Sequence, residues 1–190
     1  MAVIATISSS PSPTSRTDAV LSEVTRRVQR AGHVVIPVVL RDLPAAPLLR
    51  ADTKDSRVAA AVESIEAADA VIVTTPIYKA AYSGLLKTFL DLLPQFALRD
   101  KVVLPLATGG SLAHVLAVDY ALRPVLASLE ASAITPGWFV LSSQVEVFAN
   151  GEVLLDEAAA APLREVTRVF LDTVDGRTLL AGANTRAAVA

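Results

Sequence analysis

The stretch that most constrains this chain is Ala70 to Pro94, AVIVTTPIYKAAYSGLLKTFLDLLP. It opens on Ala70-Val71-Ile72-Val73, a continuous apolar run rich in β-branched residues. A run without polar alternation reads as a strand covered on both faces, as inside a parallel sheet. Polar Thr74 and Thr75 are expected to end it, and Pro76 has no N–H to offer a ladder. A loop with Tyr78, Lys79, Tyr82 and the pair Ser83-Gly84 follows. The next segment places Leu85, Leu86, Phe89, Leu90 and Leu93 on one helical face. In open α/β sheets, ligands bind in the crevice outside the carboxyl ends of such strands.

The rest of the chain repeats that alternation. Val3 to Ile7 reads as a short strand ending in the hydroxyl-rich loop Ser8 to Ser15. Ser15 or Thr17 caps a helix with Val20, Leu21, Val24 and Val28 inward, closed by Ala31-Gly32. His33 to Leu40 is a second strand, and Pro37 within it points to an edge position or an early end. A loop from Asp42 to Asp52 leads to a helix begun by Asp55, with Val58, Val62 and Ile65 on its face. Lys101 to Ala107 is another apolar strand, with a ladder break expected at Pro105. A long helix from about Leu112 to Glu130, a strand Ala133 to Leu141 broken at Pro136-Gly137, and a helix Leu154 to Val174 complete the pattern. Residues 1–174 thus form one domain, and residues 175–190 read as a mobile tail without strong pattern. Strands alternating with helices predict α/β architecture with a parallel sheet covered on both faces and right-handed crossovers.

Composition narrows the function. Net charge is −2, from 17 basic and 19 acidic residues with no basic patch, which argues against nucleic acid or an anionic membrane as partner. With no cysteine, disulfides, thiolate catalysis and thiolate metal sites are excluded, and His33 and His114 are too far apart in sequence to indicate a metal cluster. Ala2 to Ile7 is too short for a signal peptide or membrane span, so a cytoplasmic location is the expectation. Hydrophobic residues reach 53% and charged ones only 19%, which points to surface buried between subunits.

Three loops at strand ends carry the chemistry. The first, Ser8 to Thr17, offers Ser9, Ser15 and Thr17 hydroxyls, a helix N-terminus and the charge of Arg16, a combination suited to phosphate. It is neither a P-loop nor a dinucleotide fingerprint, and taken alone it also reads as a capped turn. The second, Thr75 to Gly84, offers the ring of Tyr78 and backbone donors, or a tyrosine pair packed at a subunit surface. In the third, Thr108-Gly109-Gly110, glycine lets the backbone approach a ligand, or simply makes a tight turn. Together they describe a mononucleotide site at one end of a flavodoxin-like sheet, a three-layer sandwich of five parallel strands in the order 2-1-3-4-5.

TTPIYKAAYSGLLKTFLDLLP followed by KVVLPLATGGSLAHVLAVDYALRPVL resembles the NADPH-dependent FMN reductase family, in particular the reductases that serve alkanesulfonate monooxygenases. The likeness is dense from Asp69 to Leu126 and weaker across the first loop, which lacks the G-S-x-R of many relatives. The resemblance implies an enzyme with FMN over the three loops. Ser9, Ser15, Arg16 and Thr17 would surround the phosphate; Pro76, Ile77, Tyr78 and Lys79 would line the isoalloxazine; Thr108, Gly109 and Gly110 would close its other side. It implies NADPH (or NADH) as reductant, FMN as substrate or loosely bound cofactor, no metal, and no side-chain acid or base. A homodimer or homotetramer and a partner monooxygenase using reduced flavin, in sulfonate or sulfur metabolism, are also implied.

Pro124 lies inside the Leu112–Glu130 segment, and its ring opposes the carbonyl of Tyr120, so the helix should bend or widen there. The related sulfonate-linked reductases carry a tyrosine at such a π-bulge, at a tetramer interface near a neighbouring flavin, which makes Tyr120 a possible modulator. Two alternatives share these features: a quinone, azo-dye or chromate reductase with bound FMN, and a flavodoxin-like electron carrier. The weak net charge argues against the carrier, and kinetics with FMN as sole acceptor separate the first.

Overall fold

The computed structural model describes the backbone of residues 1–187 and the side chains of residues 1–180. Its elements are β1 (Val3–Ser8), α1 (Arg16–Arg30), β2 (Val34–Val39), α2 (Ala45–Leu49), α3 (Ser56–Glu66), β3 (Ala70–Tyr78), β4 (Ala81–Tyr82) and α4 (Gly84–Leu90). Then follow β5 (Val102–Gly109), α5 (Arg123–Ser128), β6 (Ala133–Ile134), β7 (Trp138–Leu141), β8 (Val145–Val147), β9 (Val153–Leu155) and α6 (Glu157–Ala187). The main sheet runs β2-β1-β3-β5-β6, with β7 beside β5 and the short β4 beside β3. All its pairings are parallel except β3 with β4. Counting β6 and β7 as one interrupted strand, this is the expected 2-1-3-4-5 order of a flavodoxin-like sheet.

Period-two alternation along buried strands sends neighbouring side chains to opposite layers. Val71 and Val73 pack with Phe89, Leu86 and Leu122 in one core, on the side of α3, α4 and α5. Ala70 and Ile72 pack with Val24, Val28 and Phe170 in the other, on the side of α1 and α6. The whole of Ala70–Ile77 is buried, so β3 serves both layers.

Prolines explain the irregularities. Pro37 lies in β2, which pairs only with β1 and is a sheet edge. Pro105 keeps its register to Val73 of β3, but on the other side pairing stops at Val103 and resumes at Leu106. The break falls opposite Pro136-Gly137, where a Cβ on Gly137 would lie 2.5 Å from the Pro105 carbonyl oxygen. Glycine is therefore required there by a close backbone approach.

Several expectations need correction. Thr74 and Thr75 do not end β3: pairing continues to Pro76, opposite Thr108, and on to Tyr78 through the hairpin with β4. The expected loop Asp42 to Asp52 contains the short helix α2. The long helix Leu112–Glu130 is instead a 3₁₀ turn at Leu112–His114, a π-helical turn at Val118–Leu122 and then α5. Leu154 belongs to a β8–β9 hairpin rather than to a helix, because Asn150-Gly151 reverses the chain and Gly151 takes φ +83°. Helix α6 runs past residue 174 and continues to Ala187. Residues 188–190 of the expected tail lie outside the described residues. Among the described residues, no helix is long and apolar enough to cross a membrane, and no group of three or more His, Asp or Glu is placed to hold a metal.

Candidate active site

The carboxyl ends of β1, β3 and β5 converge on one cavity of about 210 Å³. Its first wall comes from the loop after β1 and the start of α1. Ser15 is the N-cap of α1, and its hydroxyl accepts from the Asp18 amide at 3.3 Å. The amides of Arg16 and Thr17 have no intrahelical acceptor by helix geometry, so this end holds donors and positive potential for an anion. Ser10, Ser12 and Thr14 add hydroxyls to the same wall. Arg16 is exposed, and its Nε donates to the Val145 carbonyl at 3.0 Å, which ties the helix start to β8.

Asp18, in the first turn, is neutralised from two sides. The Ser8 hydroxyl donates to one carboxylate oxygen and the Arg41 guanidinium pairs with the other. The carboxylate therefore faces a fixed cation rather than an incoming phosphate. The Thr17 and Thr108 hydroxyls share a hydrogen bond of 2.6 Å, both buried, which locks the first wall to β5.

The second wall is Pro76, Ile77 and Tyr78, and the third is Thr108, Gly109 and Gly110, with Ser142 at the far side. Tyr78 is 52% exposed, so its ring stands at the rim. The two glycines answer different demands. A Cβ on Gly109 would meet the Phe139 ring at 2.7 Å and 2.9 Å, so glycine there is required by packing, not by a ligand. A Cβ on Gly110 would meet no protein atom within 4 Å. Its φ is not positive, so no chain conformation demands glycine there either. Gly110 thus lines the cavity with no protein atom crowding it, as a flat ligand would need.

Of the residues singled out from sequence, Ser15, Arg16, Thr17, Pro76, Ile77, Tyr78, Thr108, Gly109 and Gly110 line this cavity, and Ser9 and Lys79 do not. Ser9 is fully buried; its hydroxyl donates to the Thr74 carbonyl at 2.7 Å, and its own carbonyl accepts from Ser83 at 2.9 Å. It holds the first two loops together from beneath. Lys79 is exposed in the β3–β4 turn, where it and Ala80 both take positive φ, 51° and 64°. Ser10, Ser12, Thr14 and Ser142 were missed. The first three lie in the hydroxyl-rich loop already in view, whereas nothing in the sequence marks Ser142.

The π-helical turn at Val118–Leu122 contains Tyr120, where Pro124 leaves the carbonyl four residues back without a donor. The Arg123 amide donates to the Val118 carbonyl, the five-residue spacing of a π turn. Tyr120 is 79% exposed, beside exposed Leu116 and Val115.

The lining residues suit FMN chemically: hydroxyls and free amides for a phosphate, a tyrosine and apolar β3 backbone for a planar ring, and a glycine that no protein atom crowds. Comparisons agree. Residues 2–146 match the family model described as NADPH-dependent FMN reductase. An "FMN reductase (NADPH)" of Pseudomonas putida is 46% identical over 149 residues, covering 78% of this chain and 75% of that protein. The "FMN reductase (NADPH)" of Escherichia coli K12 is 46% identical over 142 residues, 75% and 74% of the two chains. The solved structure of an NADH:FMN oxidoreductase, EMOB, superposes with a TM-score of 0.82 at 41% identity, covering 90% of this chain and 88% of that one. Fold, cavity and sequence agree, and the chain belongs to the NADPH-dependent FMN reductase family.

Proposed function

We propose that the chain oxidises NAD(P)H with FMN and releases reduced flavin to a partner monooxygenase, in sulfur or sulfonate metabolism. The observation that carries this reading is the single cavity joining the Ser15–Thr17 helix start, the Pro76–Tyr78 wall and the open face of Gly110. FMN supplies the redox chemistry when bound, since its ring accepts two electrons from a reduced nicotinamide. The chain's own work is placement. The amides and hydroxyls at the start of α1 hold the phosphate, Pro76 to Tyr78 support one part of the ring, and Thr108 to Gly110 border another. In this reading no side chain is assigned as acid or base, because the cofactors carry the chemistry.

The cavity of about 210 Å³ is an open cleft, so part of a bound flavin would face solvent or a second subunit. This reading takes FMN as a substrate that comes and goes rather than a retained prosthetic group. Two relatives named NADH-dependent FMN reductase, SfnE and SfnF, each 36% identical, favour NADH as an alternative reductant. The exposed Leu112, Leu116 and Tyr120 make an apolar surface that we assign to contact between copies of the chain, in a homodimer or homotetramer, with Tyr120 set against a neighbouring site. A reaction that consumes NAD(P)H suits the cytoplasm, which is the location this reading carries.

The test is NADPH and NADH oxidation by purified protein with and without added FMN, with retained flavin quantified beforehand. Turnover that depends on added FMN is expected. Absence of turnover with saturating FMN refutes the reading, and flavin retained through dialysis refutes the release of reduced FMN.

A further inference from the structure

We propose that Ser83, which does not itself line the cavity, is a positioning residue for the flavin phosphate, because it turns the Ser10 amide toward that cavity; this rests on the FMN reading above. Ser83 precedes α4 and is 2% exposed. Its hydroxyl accepts from the Leu86 amide at 3.1 Å, as the N-cap of α4. The same hydroxyl donates to the Ser9 carbonyl at 2.9 Å, the shorter of its two contacts with Ser9, whose hydroxyl lies at 3.3 Å. The Ser83 amide donates to the Thr75 hydroxyl at 2.9 Å, so β3 fixes where Ser83 stands. Ser9 is pinned in turn: its amide and its hydroxyl both donate to the Thr74 carbonyl, at 3.2 Å and 2.7 Å.

The Ser9–Ser10 peptide is trans, so the Ser9 carbonyl and the Ser10 N–H point in opposite directions. With the carbonyl turned to Ser83 beneath the loop, the N–H faces the other way, toward the cavity that Ser10 lines. Ser10 is 3% exposed, and its amide donates to no protein acceptor among the described residues. A buried amide without an acceptor costs free energy, and an anionic oxygen removes that cost with a strong bond. The Ser10 hydroxyl accepts from the Ser12 amide at 3.3 Å, which leaves its proton for the same anion. Without the Ser83 hydroxyl, the Ser9 carbonyl loses its buried donor. The peptide is then free to turn over and set an oxygen, instead of an N–H, against the phosphate.

The test compares the full chain with Ser83→Ala, which removes the donor, with Ser83→Thr, which keeps it, and with Asp55→Ala, which removes the cap of α3 and touches no cavity wall. Equilibrium dialysis and NADPH oxidation are measured with FMN and with riboflavin, which lacks the phosphate. The Ser10 amide resonance is followed in proton–nitrogen correlation spectra of the parent. Ser83→Ala should raise Kd and KM for FMN about tenfold while kcat and the riboflavin values stay within about twofold. Ser83→Thr should restore the FMN values. Asp55→Ala should lower Tm by about 2–4 °C and leave both flavins unaffected, which separates a lost cap from a turned peptide. The Ser10 amide should shift on adding FMN and not on adding riboflavin. Equal weakening of both flavins by Ser83→Ala, weakening of neither, or a Ser10 amide indifferent to FMN overturns the proposal; the last needs only the parent and decides even where Ser83→Ala does not fold. A parent that neither binds nor reduces FMN would instead count against the function proposed above, and the Ser10 amide titrated with inorganic phosphate would still show whether it is an anion donor.

Discussion

Alanine at Gly109 and at Gly110 should give opposite signatures, although the two residues are neighbours. At Gly109 the added methyl meets the Phe139 ring at 2.7 Å and 2.9 Å, with the Ile77 Cβ at 3.6 Å. Phe139 is 5% exposed and packed with Ile77, Ala107, Ala117 and Val118, so its ring cannot swing into solvent. Overpacking of this kind costs about 1–3 kcal/mol. A chain of this length loses about 0.4 kcal/mol of stability per degree near its midpoint, so Gly109→Ala should lower Tm by about 3–8 °C. At Gly110 the methyl meets no protein atom within 4 Å, so stability should stay within about 0.5 kcal/mol of the parent. The methyl does enter the space assigned to the flavin, so the FMN Kd should rise about tenfold or more. Scanning calorimetry and FMN equilibrium dialysis on both variants read the two effects. If Gly110→Ala binds FMN as the parent does, the flavin does not lie against that loop. If Gly109→Ala melts with the parent, the packing reason for its glycine is wrong.

Other perturbations follow from the same geometry. Ser15→Ala removes the α1 cap, costing about 1 kcal/mol, and should weaken FMN binding while leaving riboflavin, which lacks the phosphate, unaffected; dialysis with each flavin distinguishes the two. Ala80→Gly relieves one of two positive-φ positions in the β3–β4 turn and should raise stability by about 1 kcal/mol in chemical denaturation. Lys101 donates from its ammonium to the Glu66 and Ala68 carbonyls at 2.8 Å and 2.6 Å, yet burial draws it below the ordinary lysine pKa of 10.5. Between its folded pKa and 10.5 the unfolded chain holds more protons, so stability relative to Lys101→Met should rise with pH in that window; a falling difference in denaturation midpoints would refute the assignment.

What could be read from sequence was what local chemistry decides by itself. The unbroken Ala70–Val73 run reads as a strand in a sheet covered on both faces, and Pro37 pointed to an edge or an early end, of which the structure shows the edge. Ser15 and Asp55 were legible as caps because each reaches an amide two or three residues ahead. What escaped depended on partners far along the chain. Ser9 looks like a phosphate ligand in a hydroxyl-rich loop, but β3 and Ser83 lie beneath it, and they claim its hydroxyl and carbonyl. Gly109 and Gly110 are indistinguishable as letters; only the position of Phe139, thirty residues on, separates the packing glycine from the open one. The β8–β9 hairpin is a different case, since Asn150-Gly151 between Val145, Val147, Val153 and Leu155 is a strong local turn signal that outweighs the apolar run continuing into α6. The β3–β4 turn had no such signal, because Lys79 and Ala80 are poor formers of a turn needing positive φ. The turn follows Tyr78 at the cavity rim, and Ile77 beside it is paired to Tyr82. The residues least legible from local rules are thus those whose conformation is imposed from outside, by partners far along the chain.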